Sequence, residues 1–116
     1  MQLGLETEQA GDGVYVITPA GELDLYTCPE FKEALLRVIS TGARYVIVDL
    51  SLTTFVDSTS LGVLLRGVER LRDTGGDLSV VCPDATIRKV FEVTGLHRVF
   101  ELHDSRVEAL DRSDNA

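Results

Sequence analysis

Two short and almost unbroken apolar runs, Tyr45 to Leu50 and Leu78 to Cys82, constrain this chain more than any other feature. They are too short for buried helices and rich in valine and isoleucine, so each reads as a strand covered on both faces. Strands of that kind belong to parallel sheets, and parallel neighbours need a crossover between them, usually a helix. The intervening segment supplies one. From about Ser58, the residues Leu61, Leu64, Leu65, Val68 and Leu71 recur at helical spacing, and Gly75-Gly76 ends the pattern.

The flanking segments extend the same logic. Leu3 and Leu5 alternate with polar neighbours, Val14 to Thr18 is β-branched and aromatic, and Gly11-Asp12-Gly13 is a turn signal between them. These two strands are expected to form an antiparallel hairpin. A helix should follow, opened by a Thr27-x-x-Glu30 capping box with Pro29 in its first turn and a Tyr26–Phe31 staple. Its buried stripe is Phe31, Ala34, Leu35, Val38 and Ile39, and Gly42 ends it. Ile87, Val90 and Phe91 mark a third helix, stopped by Gly95; Val99 to Leu102 reads as a last strand. Ser105-x-x-Glu108 reads as the capping box of a final helix carrying Val107 and Leu110.

The order is β-β-α-β-α-β-α-β-α. It predicts an α/β domain with a mainly parallel sheet of four to five strands, an N-terminal antiparallel hairpin and about four helices. Right-handed crossovers put three loops on one sheet edge: Gly21–Asp24, Ser51–Ser58 and Pro83–Asp84. Open α/β sheets carry their sites on that edge.

A chain of 116 residues is expected to form one domain, here residues 1–112, with a short disordered tail at 113–116. The net charge is −8, of which residues 1–13 and 101–116 carry −3 each. An acidic chain without a basic stripe disfavours nucleic acid and suits a protein partner with a basic face. No apolar run is long enough to span a membrane, and the acidic start does not read as a secretory signal. Cys28 and Cys82, far apart, read as free thiols of a reducing, cytoplasmic compartment. No cluster has metal-ligand spacing, and no cofactor is expected.

The segment richest in chemistry runs Val46-Ile47-Val48-Asp49-Leu50-Ser51, then Phe55-Val56-Asp57-Ser58-Thr59-Ser60-Leu61-Gly62. A buried strand enters a loop, and the loop enters a helix start holding one acid and three hydroxyls. Asp57 or Ser58 would be the N-cap, and capping alone would account for such residues. The string Asp57 to Gly62 resembles the D-S-[ST]-G-L-G signature of STAS domains, specifically the bacterial anti-sigma factor antagonists. Gly21-Glu22-Leu23-Asp24 resembles that family's G-x-L-D loop, and the similarity runs from about Leu3 to Leu110.

The resemblance implies a STAS-like fold and a phospho-switch that is not itself an enzyme. An unphosphorylated antagonist binds an anti-sigma factor that is also a serine kinase, and so releases the sigma factor. Phosphorylation ends the binding, and a serine phosphatase restores it. The phosphoacceptor maps to Ser58, at the helix start with an exposed hydroxyl, and the loop acid maps to Asp24. Partner contact is expected from Asp24, Asp57, Ser58, Thr59 and Ser60. Ser60 stands where the family usually has glycine and adds a third hydroxyl within the first helical turn.

Other readings are weaker. A hydrolase would use Ser58 as nucleophile with His97 or His103 as base, but the G-x-S-x-G elbow is absent. A nucleotide-hydrolysing G-x-x-x-x-G-K-[ST] loop is also absent. The stronger alternative is a STAS module with another task, as a scaffold in a sensor complex or an accessory to lipid transport.

Overall fold

The computed structural model describes residues 3–114. Among them the elements are β1 (Gly4–Gly11), β2 (Val14–Leu23), α1 (Cys28–Ser40), β3 (Tyr45–Asp49), β4 (Thr53–Val56), α2 (Ser58–Asp73), β5 (Asp77–Val81), α3 (Ala85–Val93), β6 (Glu101–His103) and α4 (Arg106–Asp114). A single 3-10 turn, Leu96–Arg98, precedes β6. The sheet order is β1-β2-β3-β5-β6. β1 and β2 form the expected antiparallel hairpin, and the pairs β2–β3, β3–β5 and β5–β6 are parallel. No helix of the described residues is long and apolar enough to cross a membrane.

The two faces of the sheet explain the unbroken apolar runs. Ile17, Val46, Val48, Leu78 and Val80 join one core with Phe31, Leu35, Leu64 and Phe91 from α1, α2 and α3. The alternate residues Val16, Tyr45, Ile47 and Val81 meet Ala109 and Leu110 of α4 on the other face. With both faces covered, period-two alternation disappears from the central strands. Arg106 pins α4 across the sheet. Its Nε donates to Asp49 Oδ2 at 3.1 Å, Nη2 donates to Thr18 Oγ1 at 2.9 Å, and Nη1 reaches Glu8 on β1.

A sixth strand lies where a loop was expected. β2 is 10 residues long, but β3 pairs only with its first part, Val14 to Ile17. The chain then turns at Leu50, with Thr53 N–H donating to the Leu50 carbonyl at 3.1 Å. It returns beside β2 as β4, which pairs Gly21 with Thr53 and Leu23 with Val56 in parallel. Thr53-Thr54-Phe55-Val56 has the composition of a strand. Without it the backbone groups at the end of β2 would lack partners on that side. The register shifts at Gly21, whose φ of +113° only glycine adopts without strain. Most of the expected Gly21–Asp24 loop is therefore strand, and the Ser51–Ser58 loop holds β4.

The helix starts also differ in detail. Thr27 has helical backbone angles, φ −93° and ψ −19°, and makes no side-chain cap to α1. A capping box needs an extended N-cap, so the Thr27–Glu30 box does not form. Tyr26 is 87 % exposed while Phe31 is buried, so the staple is absent too. In α4, Ser105 Oγ accepts from Glu108 N–H as expected, but Glu108 Oε1 reaches back to the N–H of Asp104, one residue early. α4 continues to Asp114, into the stretch expected to fray. Ser113 is buried and its hydroxyl donates to the Leu110 carbonyl at 2.7 Å. The rest of that expected tail, residues 115 and 116, lies outside the described residues, as do residues 1 and 2.

One glycine is fixed by close approach and not by its torsion. A Cβ on Gly76 would sit 2.5 Å from the Arg44 carbonyl oxygen, which also accepts Asp77 N–H at 3.0 Å. Backbone cannot yield as a side chain can. Gly76→Ala is expected to cost about 1–3 kcal/mol, read as a lowered urea midpoint. An unchanged midpoint would contradict this packing.

Candidate functional site

The site is built where β2 and β4 end side by side. Leu23 pairs with Val56, so the next residues, Asp24 and Asp57, leave the sheet at the same edge. Asp57 is extended, φ −122° and ψ −178°, and is the N-cap of α2. Its Oδ1 accepts Ser60 N–H at 3.0 Å, and its own N–H donates to Ser60 Oγ at 3.0 Å, which completes a reciprocal capping box. Ser58 is thus the first residue of the helix and not the cap.

The three hydroxyls part company at this point. Ser58 and Thr59 are exposed, whereas Ser60 is 0 % exposed. Ser60 Oγ lies 2.8 Å from the Asp57 carbonyl and 3.1 Å from the Leu23 carbonyl, which ties the start of α2 to the end of β2. Partner contact was expected of Ser60 too, but its side chain is buried and its hydroxyl is already engaged within the chain. The glycine usual at this place in the signature is here replaced by a fastening. Ser60→Ala is expected to cost about 1–3 kcal/mol, because it leaves the part-buried Asp57 N–H and the buried Leu23 carbonyl without this hydroxyl, and a thermal melt would measure it. A melt matching the wild type would remove the fastening role. Ser58 and Thr59, by contrast, present both hydroxyl and backbone N–H outward, with no partner among the described residues.

Asp24 occupies the neighbouring corner. Its Oδ1 accepts from Thr27 N–H at 3.0 Å, Tyr26 N–H at 2.9 Å and Thr27 Oγ1 at 3.2 Å. Thr27 in turn donates to the Glu22 carbonyl at 2.6 Å. The bond from Thr27 N–H, seconded by those from Tyr26 N–H and the Thr27 hydroxyl, holds the Asp24 carboxyl below its ordinary range. Asp24 thus shapes the turn into α1 and keeps a negative charge at the edge. Cys28 sits beneath; burial pushes its thiol up, and the charges of Asp57 and Asp24 add to that. The third expected loop is spent on capping, since Asp84 accepts Thr86 N–H at 2.7 Å at the start of α3.

Sequence reasoning missed the apolar part of this edge. Leu25, Tyr26, Leu52 and Phe55 are 61 %, 87 %, 60 % and 46 % exposed. Leu25 and Tyr26 lie in the β2–α1 turn after Asp24, and Phe55 lies in β4 two residues before Asp57, whereas Leu52 lies in the β3–β4 turn at the other end of β4. The available signal was Leu52 and Phe55 within the stretch read as the Ser51–Ser58 loop, and Leu25 and Tyr26 directly after the Gly21–Asp24 loop. The histidines are elsewhere. His97 approaches the Phe91 carbonyl at 3.4 Å, and His103 lies 3.3 Å from Glu101; neither bonds Ser58.

The comparisons agree with the geometry. The STAS domain model matches residues 7–109. An anti-sigma-B factor antagonist of Staphylococcus aureus is 32 % identical over 104 residues, which cover 90 % of this chain and 95 % of that protein. The crystal structure of an anti-sigma factor antagonist from Mycobacterium paratuberculosis superposes with a TM-score of 0.87 at 29 % identity, covering 95 % of this chain and 92 % of the other. The Bacillus cell fate determinant SpoIIAA, solved in its phosphorylated form, gives a TM-score of 0.75 at 27 % identity, covering 95 % and 99 %. The α/β sheet with its antiparallel N-terminal hairpin matches those structures, and the sequence matches the family over most of its length: the chain belongs to the STAS domain family, among its anti-sigma factor antagonists.

Proposed function

We propose that the unphosphorylated chain binds an anti-sigma factor that is also a serine kinase, frees the sigma factor, and loses that binding when Ser58 is phosphorylated. A serine phosphatase then resets the switch, and the cycle runs in the cytoplasm, where ATP and transcription meet. The chain acts by binding and not by catalysis. The observation that carries this reading is the exposed, unbonded Ser58 hydroxyl at the first position of α2. A phosphate there meets the free N–H groups of Ser58 and Thr59 and the positive end of the helix dipole, so the fold tolerates it. The exposed apolar residues around that corner favour a protein partner over a small ligand. That a relative has been solved in a phosphorylated form supports the same reading.

Mass spectrometry after incubation with the kinase and ATP tests it. One phosphate on Ser58 is expected. Phosphate on Thr59 would reassign the acceptor, and none at all with an active kinase would leave the scaffold reading ahead. Asp24 gives a second test. Asp24→Asn keeps an acceptor oxygen for the turn, so stability should stay within about 1 kcal/mol. Binding or phosphorylation should nevertheless weaken, measured by calorimetry and by phosphate incorporation. Normal behaviour in both would leave Asp24 with the turn alone.

A further inference from the structure

A second surface begins beside Ser58 and runs away from it, along the seam between α1 and α2. The seam is a groove of about 240 Å³, floored by Leu36, Val63 and Gly67 and bordered by Lys32, Arg66 and Arg70. Toward the helix start it continues into a second hollow of about 280 Å³, which shares Lys32, Val63 and Arg66 and reaches Leu25 and Thr59. The groove is therefore continuous with the phosphoacceptor corner.

Its charge is opposite to that of the molecule. The chain carries 19 acids against 11 bases, yet no acid lines either hollow. Arg37, Arg72, Arg88, Arg106 and Arg112 sit in ion pairs, and Arg44, Lys89 and Arg98, which have none among the described residues, line neither hollow. Lys32, Arg66 and Arg70 have no ion-pair partner among the described residues. Arg66 and Arg70 stand four apart on one helix face, an arrangement that like charges disfavour. The fold draws no evident benefit from gathering them, and an acidic ligand would.

Size and shape narrow the ligand. The two hollows, about 240 and 280 Å³, together reach the volume of small-molecule sites, but they are strung along the seam of two helices, which suits successive side chains of a protein segment better than one compact ligand. A concave apolar floor with a cationic border matches a protein segment with carboxylates around one or two apolar anchors. A lipid surface would instead call for apolar groups that protrude.

We propose that the α1–α2 groove receives such an acidic, apolar-anchored segment of the anti-sigma factor. This rests on the reading above. The partner then faces acids at the Ser58 corner and bases along the seam. That two-signed pattern fixes one orientation of docking.

Titration calorimetry with the anti-sigma factor, at low and high salt, decides the matter. The pair Arg66→Glu/Arg70→Glu is expected to weaken binding about tenfold or more and to flatten its salt dependence. Lys32→Glu, on the other helix, should act in the same direction. Circular dichroism should show both variants folded, because all three side chains are exposed. Binding by the wild type with the variants within about twofold of it would overturn the groove and leave the switch standing. No binding by the wild type would overturn both. Sedimentation with phosphatidylglycerol–phosphatidylcholine vesicles provides the remaining arm: wild-type binding lost in the double variant would replace the protein segment with a membrane surface.

Discussion

Phosphorylation of Ser58 is expected to weaken binding of the anti-sigma factor at least about a hundredfold, because placing unpaired charge in an interface costs several kcal/mol. The effect needs no large rearrangement. Ser58 stands outside the capping box, which Asp57 and Ser60 close between themselves. The added charge of about −1.5 to −2 therefore lands on a surface that already carries Asp57 and Asp24. The helix end stabilises it in the free chain, while the partner must desolvate it. Two variants bracket the effect. Ser58→Asp should bind more weakly than wild type but less weakly than the phosphoprotein, having one carboxylate in place of a phosphate. Ser58→Ala should bind as wild type and incorporate no phosphate at the corner. Since Ser58 is the first helical residue and not the N-cap, that substitution should change stability by less than about 0.5 kcal/mol, below the capping loss that a Ser58 N-cap would have implied. Calorimetric titration of the four species against the anti-sigma factor measures the series. Equal affinity of phosphorylated and unphosphorylated chains would end the switch.

The central architecture was legible because it rests on burial. Tyr45 to Leu50 and Leu78 to Cys82 are apolar on both faces since helices cover both faces, and that pattern admits few folds. The positions of α1 to α3 followed from their stripes and glycine stops, and that of α4 from the Ser105–Glu108 spacing, although Val107 of its expected apolar pair is exposed and Ala109 is buried instead. The failures were local and share a cause: short-range signals have several solutions, and tertiary contacts choose among them. Thr27 and Glu30 have the spacing of a capping box, but Asp24 claims the Thr27 N–H first. Thr53 to Val56 has strand composition yet gains a partner only because β2 outruns β3. Within the site, the motif pointed to the corner but not to the division of labour inside it. Spacing alone does not separate an outward Ser58 from an inward Ser60; that depends on the Leu23 carbonyl, 37 residues away, lying above the first turn. The basic seam escaped for a similar reason, since Lys32 and Arg66 belong to different helices and meet only after folding.

Leu35→Ala is expected to destabilise the chain by about 2–5 kcal/mol, and the loss should be partly recovered by a second substitution that is itself harmful. Leu35 is 1 % exposed in the middle of α1 and packs where α2 has no side chain. A Cβ on Gly67 would lie 2.7 Å from Leu35 Cδ2 and 3.4 Å from its Cγ. Gly67→Ala alone therefore forces Leu35 to shift, and the strain opposes the roughly 1 kcal/mol of helix propensity that alanine offers. In the Leu35→Ala background the obstruction is gone. There the new methyl group on α2 keeps only an ordinary contact with Leu78 Cδ1 at 3.6 Å, fills part of the cavity and keeps its propensity gain. The double-mutant cycle should then show a coupling of about 1–2 kcal/mol, with Gly67→Ala neutral or harmful in the wild type and stabilising in the Leu35→Ala background. Urea denaturation of the four proteins provides the cycle. Additive effects would mean that α1 and α2 do not meet through this pair, and a small loss for Leu35→Ala would take Leu35 out of the core.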